Sequence, residues 1–262
     1  MNQLLWAVLP YIALTLMIAG LIWRWRTDQF GWTSRSSQLY EGPILRAASP
    51  MFHFGILAVA AGHAMGLIFP EEFTEALGVS HHLYHLVATI GGTVAGVVTV
   101  IGLGGLIYRR VVYRSVRLAT TRNDLVMYVL LVIPIVLGAT ATVANQILGP
   151  EGGYNYRETI SVWFRSIFML QPNVAVMEDV PVTFKLHIVA ALVLFAVWPF
   201  TRLVHAVTPP VGYVARPAII YRSRSAATQT TEERRGWAPV RGGRAGNTRG
   251  SGQGGQANPH GA

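Results

Sequence analysis

Phe184–Val207 reads FKLHIVAALVLFAVWPFTRLVHAV, an apolar stretch of helix length with a histidine near each end. His187 and His205 are eighteen residues apart. On a continuous α-helix that spacing is about five whole turns, so both imidazoles face the same way, about 27 Å apart along the axis. A membrane helix with two histidines on one face, near its two ends, needs partners at two depths.

The surrounding composition fits such a helix. Of 262 residues 52% are hydrophobic and only 13% are charged, which places the chain among integral membrane proteins. No cysteine is present, so disulfides, zinc–thiolate sites and cysteine-ligated iron–sulfur clusters are excluded from this polypeptide. The net charge of +9 rests on arginine, Lys185 being the single lysine. Basic loops beside a membrane report topology, so no nucleic-acid partner is expected.

Five apolar segments follow one another, at about 4–25, 50–69, 83–108, 125–148 and 182–207. Each approaches the roughly 20 residues that cross a hydrocarbon core, and helices are the expected spanning form. Pro134 and Pro199 fall inside two of them and are expected to kink them. The first segment lacks a basic flank and a small-residue cleavage site, and reads as a retained anchor. Arg24, Arg26, Arg35 and Arg46 lie in the first connection, and Arg109, Arg110, Arg114, Arg117 and Arg122 in the third. Arg202, Arg216, Arg222 and Arg224 follow the last segment. The second connection carries Glu71, Glu72 and Glu75, and the fourth Glu151, Glu158, Glu178 and Asp179 against Arg157 and Arg165. The positive-inside rule then predicts an all-α, five-helix integral membrane bundle with its N-terminus outside and its C-terminus cytoplasmic. Thr159–Leu170, too short to span, reads as an interfacial helix. The membrane domain is expected over 1–221, and the Gly/Arg-rich tail 222–262 is expected to be disordered.

Eight histidines are present: His53 and His63 in the second segment, His81, His82 and His85 at the outer mouth of the third, His187 and His205 in the fifth, and His260 in the tail. With the second and fifth segments running in opposite directions, depth pairs His63 with His187 near the outer face and His53 with His205 near the inner one. Two opposed imidazoles close a six-coordinate haem iron, and two such sites stacked across a bilayer make an electron wire. The register is imperfect: ten residues span about 15 Å on one helix against about 27 Å on the other, and turn the face by about 80°. Gly55, Gly62 and Gly66, with Ala58, Ala60, Ala61 and Ala64, permit either close helix packing or the approach of a flat ligand. The glycines of the third segment are assigned to packing.

FHFGILAVAAGHAMG at Phe52–Gly66, together with the stretch at Phe184–Val207, resembles the gamma, cytochrome b subunit of membrane-bound respiratory nitrate reductase. The likeness extends over roughly Pro10–Tyr221 and includes SSQ at Ser36–Gln38 and the pair Arg109–Arg110. It implies five transmembrane helices in the cell membrane and two b haems between the second and fifth. His63 and His187 would ligate the outer iron, and His53 and His205 the inner one. It implies oxidation of a membrane quinol near the outer haem, with protons released outside. Electrons would pass to an iron–sulfur beta subunit and a molybdenum-containing alpha subunit that reduces nitrate.

Where family members carry lysine near the quinol pocket, this chain reads SHHLYHL. His85, one turn deeper, is the preferred proton acceptor, with His82 and Tyr84 as further candidates, although His81 and His82 equally fit wetted residues at a helix mouth. Lys185 is a candidate for a haem propionate or a lipid headgroup, and Arg109, Arg110 and Arg202 for propionates of the inner haem. Three other readings stand beside this one: a dihaem anchor serving a different terminal reductase, a membrane metal hydroxylase prompted by HHLYH, and a proton-coupled transporter. A hydroxylase needs several tight histidine clusters, and a transporter internal repeats and midplane acids.

Overall fold

The computed structural model describes residues 2–28, 37, 39–149 and 153–207. The expectations for the tail 222–262, for Ser36 and Gln38, and for Arg35, Glu151 and the arginines beyond 207 lie outside the described residues. Among those described, five helices are long and apolar enough to cross a membrane: α1 (Leu4–Thr27), α2 (Pro43–Ile68), α4 (His81–Val112), α6 (Arg122–Ile147) and α8, which is α-helical over Val182–Val197. Three short helices connect them: α3 (Glu71–Ala76), α5 (Arg114–Leu118) and α7 (Ile160–Phe168).

Polar caps extend the helices beyond their apolar runs. α2 begins at Pro43, not near residue 50, because proline suits a first turn and the Glu41 carboxylate accepts Ile44 N–H at 2.6 Å and Leu45 N–H at 3.3 Å. Ser80 Oγ accepts from Leu83 N–H at the start of α4, and Thr121 with Asp124 makes a capping box on α6.

A single helix over 182–207 is not what forms. Pro199 has no N–H to continue the ladder, so α8 stops at Val197 and gives way to a 3-10 turn at Trp198–Phe200. Thr201 is extended, and a second 3-10 turn, Arg202–Val207, carries His205. The helix therefore rises only about 15 Å from His187 to its end at Val197, the same rise that separates His53 from His63 on α2.

α2 lies along α4, with the backbones held close by glycine. A Cβ on Gly55 would meet Thr99 Oγ1 at 2.6 Å and Thr99 N at 2.8 Å, and Gly102 is blocked in the same way by the Phe52 backbone. α8 packs on α1 and α6, and no comparable backbone seam joins it to α2. At one end α7 turns its apolar face inward: Ile160, Trp163 and Ile167 are buried against Trp6, Met177 and Val180. Trp163 Nε1 donates to Trp6 O at 2.7 Å, and Tyr11 hydroxyl to Ile167 O at 2.9 Å. That face of the helix packs on the bundle, while Phe168, Met169 and Leu170 at its end are exposed. At the other end Phe52, Leu103, Leu131, Leu194 and Leu203 form a second core.

Gly55→Val drives a branched side chain into the Thr99 backbone and is expected to cost about 1–3 kcal/mol through overpacking. The measurement is thermal unfolding in detergent. Gly104→Ala, where a Cβ meets nothing within 4 Å, leaves the transition unchanged.

Candidate functional site

Four histidines from α2 and the α8 region meet as two pairs. The rings of His63 and His187 have centres 5.9 Å apart with planes at 43°. Those of His53 and His205 are 6.3 Å apart at 63°. The Pro199 break brings His205 level with His53, so the spacing mismatch of two continuous helices does not arise.

Each of the four rings is oriented through one nitrogen. His53 Nδ1 bonds Ser49 O at 2.7 Å and His63 Nδ1 bonds Val59 O at 2.8 Å, both one turn back along α2. His187 Nδ1 bonds Pro134 O on α6 at 2.9 Å, and His205 Nδ1 bonds Arg202 O. A carbonyl only accepts, so Nδ1 is the donor in all four, which in a neutral ring leaves the lone pair on Nε2. Room for His187 comes from Gly138, where a Cβ would stand 2.9 Å from the ring Cε1.

These facts fit a bis-histidine metal site. An iron bound at about 2 Å by each of two imidazole nitrogens places ring centres about 6 Å apart. Rotation about a shared axis leaves the angle between the planes free. Nδ1–H held by a carbonyl is also the usual second-shell support of a ligating histidine.

The residues at the mouth of α4 occupy the same end as His63 and His187 but form a separate group. His85 Nε2 bonds Gln146 Oε1 at 2.9 Å, while the Gln146 amide donates to Tyr154 O. His85 stacks on His81, which lies 3.7 Å from Glu71, and His82 is exposed. Tyr84 lies under the Arg157 guanidinium, 3.9 Å from its ring centre.

Two further residues at this end carry no sequence signal as site residues. Arg157, 4% exposed, donates to Pro70 O and Thr74 Oγ1 and forms no ion pair among the described residues. Tyr156 packs against Gly66, one turn beyond His63. Burial, together with its bond to Tyr84, raises the Tyr156 phenol above the ordinary tyrosine range, so it stays a neutral donor at every physiological pH. They come from an irregular loop, GYNYRE, whose pattern has no periodicity to read.

The basic residues offered for propionates have protein partners. Arg109, 2% exposed, is held by the Glu41 carboxylate, Ser37 Oγ at 2.8 Å and the carbonyls of Ser37 and Glu41. Arg110 bonds Tyr128 and Thr120 and lies 3.5 Å from Asp124, and Arg202 Nε lies 2.8 Å from the same carboxylate. Lys185 Nζ donates to Glu178 O at 2.7 Å.

Five apolar helices of spanning length, with two imidazole pairs joining the second to the fifth and the turn that follows it, define a multi-pass membrane protein. A profile of the nitrate reductase gamma subunit matches residues 2–224, and the chain belongs to that family. It is 43% identical over 224 residues to the nitrate reductase gamma chain of Bacillus subtilis, covering 86% of this chain and 99% of that one. To the respiratory nitrate reductase 2 gamma chain of Escherichia coli K12 it is 31% identical, covering 86% and 98%. It is also 52% identical over 237 residues to the nitrate reductase-like protein NarX of Mycobacterium tuberculosis, covering 90% of this chain but 36% of that protein. The chain thus spans about a third of the length of that longer relative.

The Glu41–Arg109 pair generates a pH prediction. Burial opposes the Glu41 charge, but bonds from Ile44 N–H, Arg109 and Leu45 N–H outweigh it and hold the carboxyl below the usual carboxylate range. A lowered folded pKa contributes stability that is complete above the unfolded value and lost as pH falls through the folded one. Acid unfolding in detergent is expected to steepen below about pH 4.3, and Glu41→Gln to remove that component.

Proposed function

We propose that this chain is the quinol-oxidising membrane subunit of a respiratory nitrate reductase, with two b haems as carriers between its two ends. The facing pairs His63–His187 and His53–His205, each ring held through Nδ1 by a backbone carbonyl, are the observation that carries the reading. Each haem, when bound, supplies a one-electron centre whose potential follows its ligands and their hydrogen bonds. The protein's part is to hold each Nε2 in place, to keep the interior apolar and to manage protons at one end.

The end holding α3, α7 and the mouth of α4 is the quinol side in this reading. Oxidation of a quinol releases two electrons and two protons, so a base is needed there. Gln146 Oε1 accepts from His85 Nε2–H, because its amide is committed to Tyr154 O. His85 Nδ1 is therefore the basic nitrogen and takes the proton, with His82 and Tyr84 beside it. The arginine-rich end, with Arg24, Arg26, Arg46, Arg109, Arg110, Arg114, Arg117 and Arg202, faces the cytoplasm by the positive-inside rule. There an iron–sulfur subunit takes the electrons and passes them to a molybdenum subunit that reduces nitrate. The names of the relatives support the nitrate acceptor. A hydroxylase reading finds less support: among the described residues no group of three or more His, Cys, Asp or Glu side chains is placed to hold a metal ion.

The test is purification with the partner subunits, haem quantification and a quinol-to-nitrate assay. Two six-coordinate b haems per chain are expected. His63→Ala or His187→Ala removes one haem and quinol oxidation, and His53→Ala or His205→Ala removes the other. Retention of both haems in all four variants sinks the assignment. His85→Leu keeps both spectra and lowers the rate of quinol oxidation about a hundredfold; an unchanged steady-state rate rejects His85 as the base.

A further inference from the structure

The link between α8 and His205 is gripped from two other helices. Carbonyls around Pro199 have lost their helical partners, since the ladder does not continue past them. Arg24 on α1 takes two of them, its Nη1 donating to Pro199 O at 2.7 Å and to Thr201 O at 2.9 Å. Asn123 on α6 donates to Phe200 O at 3.2 Å. Asp124, next to it and 1% exposed, lies 2.8 Å from Arg202 Nε, and the Arg202 carbonyl is the group that bonds His205 Nδ1.

We infer that Arg24, Asp124 and Arg202 form a clamp that sets the depth and ring direction of His205, and so act as positioning residues for the His53–His205 haem. The inference rests on the proposed haem reading. Pro199 weakens the helical ladder but does not by itself fix where the chain goes next, since Pro50 and Pro134 sit inside α2 and α6 without ending them. Burying a carboxylate and bringing two guanidinium groups onto one short turn carries a desolvation cost that the stop itself does not need. What the extra groups add is register. The other three histidines take their carbonyl from a continuous helix, whereas His205 takes its carbonyl from a residue that is itself held by an ion pair. Moving Arg202 moves the acceptor of Nδ1–H, and with it the basicity and direction of Nε2.

The experiment uses the full complex in membranes, with Arg202→Gln, Arg202→Lys and Arg24→Gln compared with the parent. The readouts are redox titration of each haem and the low-spin electron paramagnetic resonance signal of each. Asp124 is left alone because it also caps α6. Both glutamine variants are expected to shift the potential and broaden the signal of one haem, the same one that His205→Ala removes, with the other unchanged. Arg202→Lys restores most of the parent behaviour. Equal disturbance of both haems, or of neither, overturns the clamp. Should Arg202→Gln fail to accumulate, Arg24→Gln decides by the same readout, since it touches neither the α6 cap nor the Asp124–Arg202 pair and, besides the two carbonyl bonds, loosens the contact of Arg24 with Asp28. A parent without haem overturns the cofactor reading itself, and that is seen before any variant is compared.

Discussion

A proline cannot give a hydrogen bond it does not possess, and much of the site geometry follows from that fact at position 199. With its ladder broken there, α8 rises about as far below His187 as α2 does between its two histidines. The remaining chain turns through Thr201 and brings His205 to His53. An unbroken straight helix would carry His205 about 12 Å past the level of His53. Gly20 on α1 makes room for the bend, since a Cβ there would stand 2.8 Å from the Pro199 ring.

The glycine seam supplies the opposite kind of constraint. α2 gives one face, through Ala48, Phe52 and Gly55, to α4, and the backbones approach too closely for larger residues. Spending that face on α4 leaves the histidines of α2 turned toward α8, with which it has no such seam. Small residues thus serve two purposes along one helix. Gly55 is needed for backbone contact, while Gly62, whose Cβ position meets nothing within 4 Å, leaves space beside His63.

Charge is distributed with the same economy. Among the described residues both buried arginines serve the ends of the bundle, Arg109 tying α4 to the start of α2 and Arg157 tying the long loop to the turn after α2. Asp124 does three jobs: it caps α6 and meets both Arg110 and Arg202. Polar groups at a membrane edge are costly when unpaired, so they gather where several backbone ends need them.

Hydropathy alone determined the five spans, and opposite helix direction with residue depth was enough to choose which histidine faces which. Those features are legible because they depend on one-dimensional spacing and on the cost of exposing backbone to lipid. The helix ends were less so: Glu41, Ser80 and Thr121 extend α2, α4 and α6 through polar turns that an apolar count passes over. Only the tertiary structure decided how far α8 runs, where Tyr156 and Arg157 lie, and what holds His205. These depend on contacts between residues far apart in the chain, such as Arg24 with Pro199 and Asp124 with Arg202. An arginine near a membrane face looks the same in sequence whether it marks topology or grips a carbonyl; packing assigns its role.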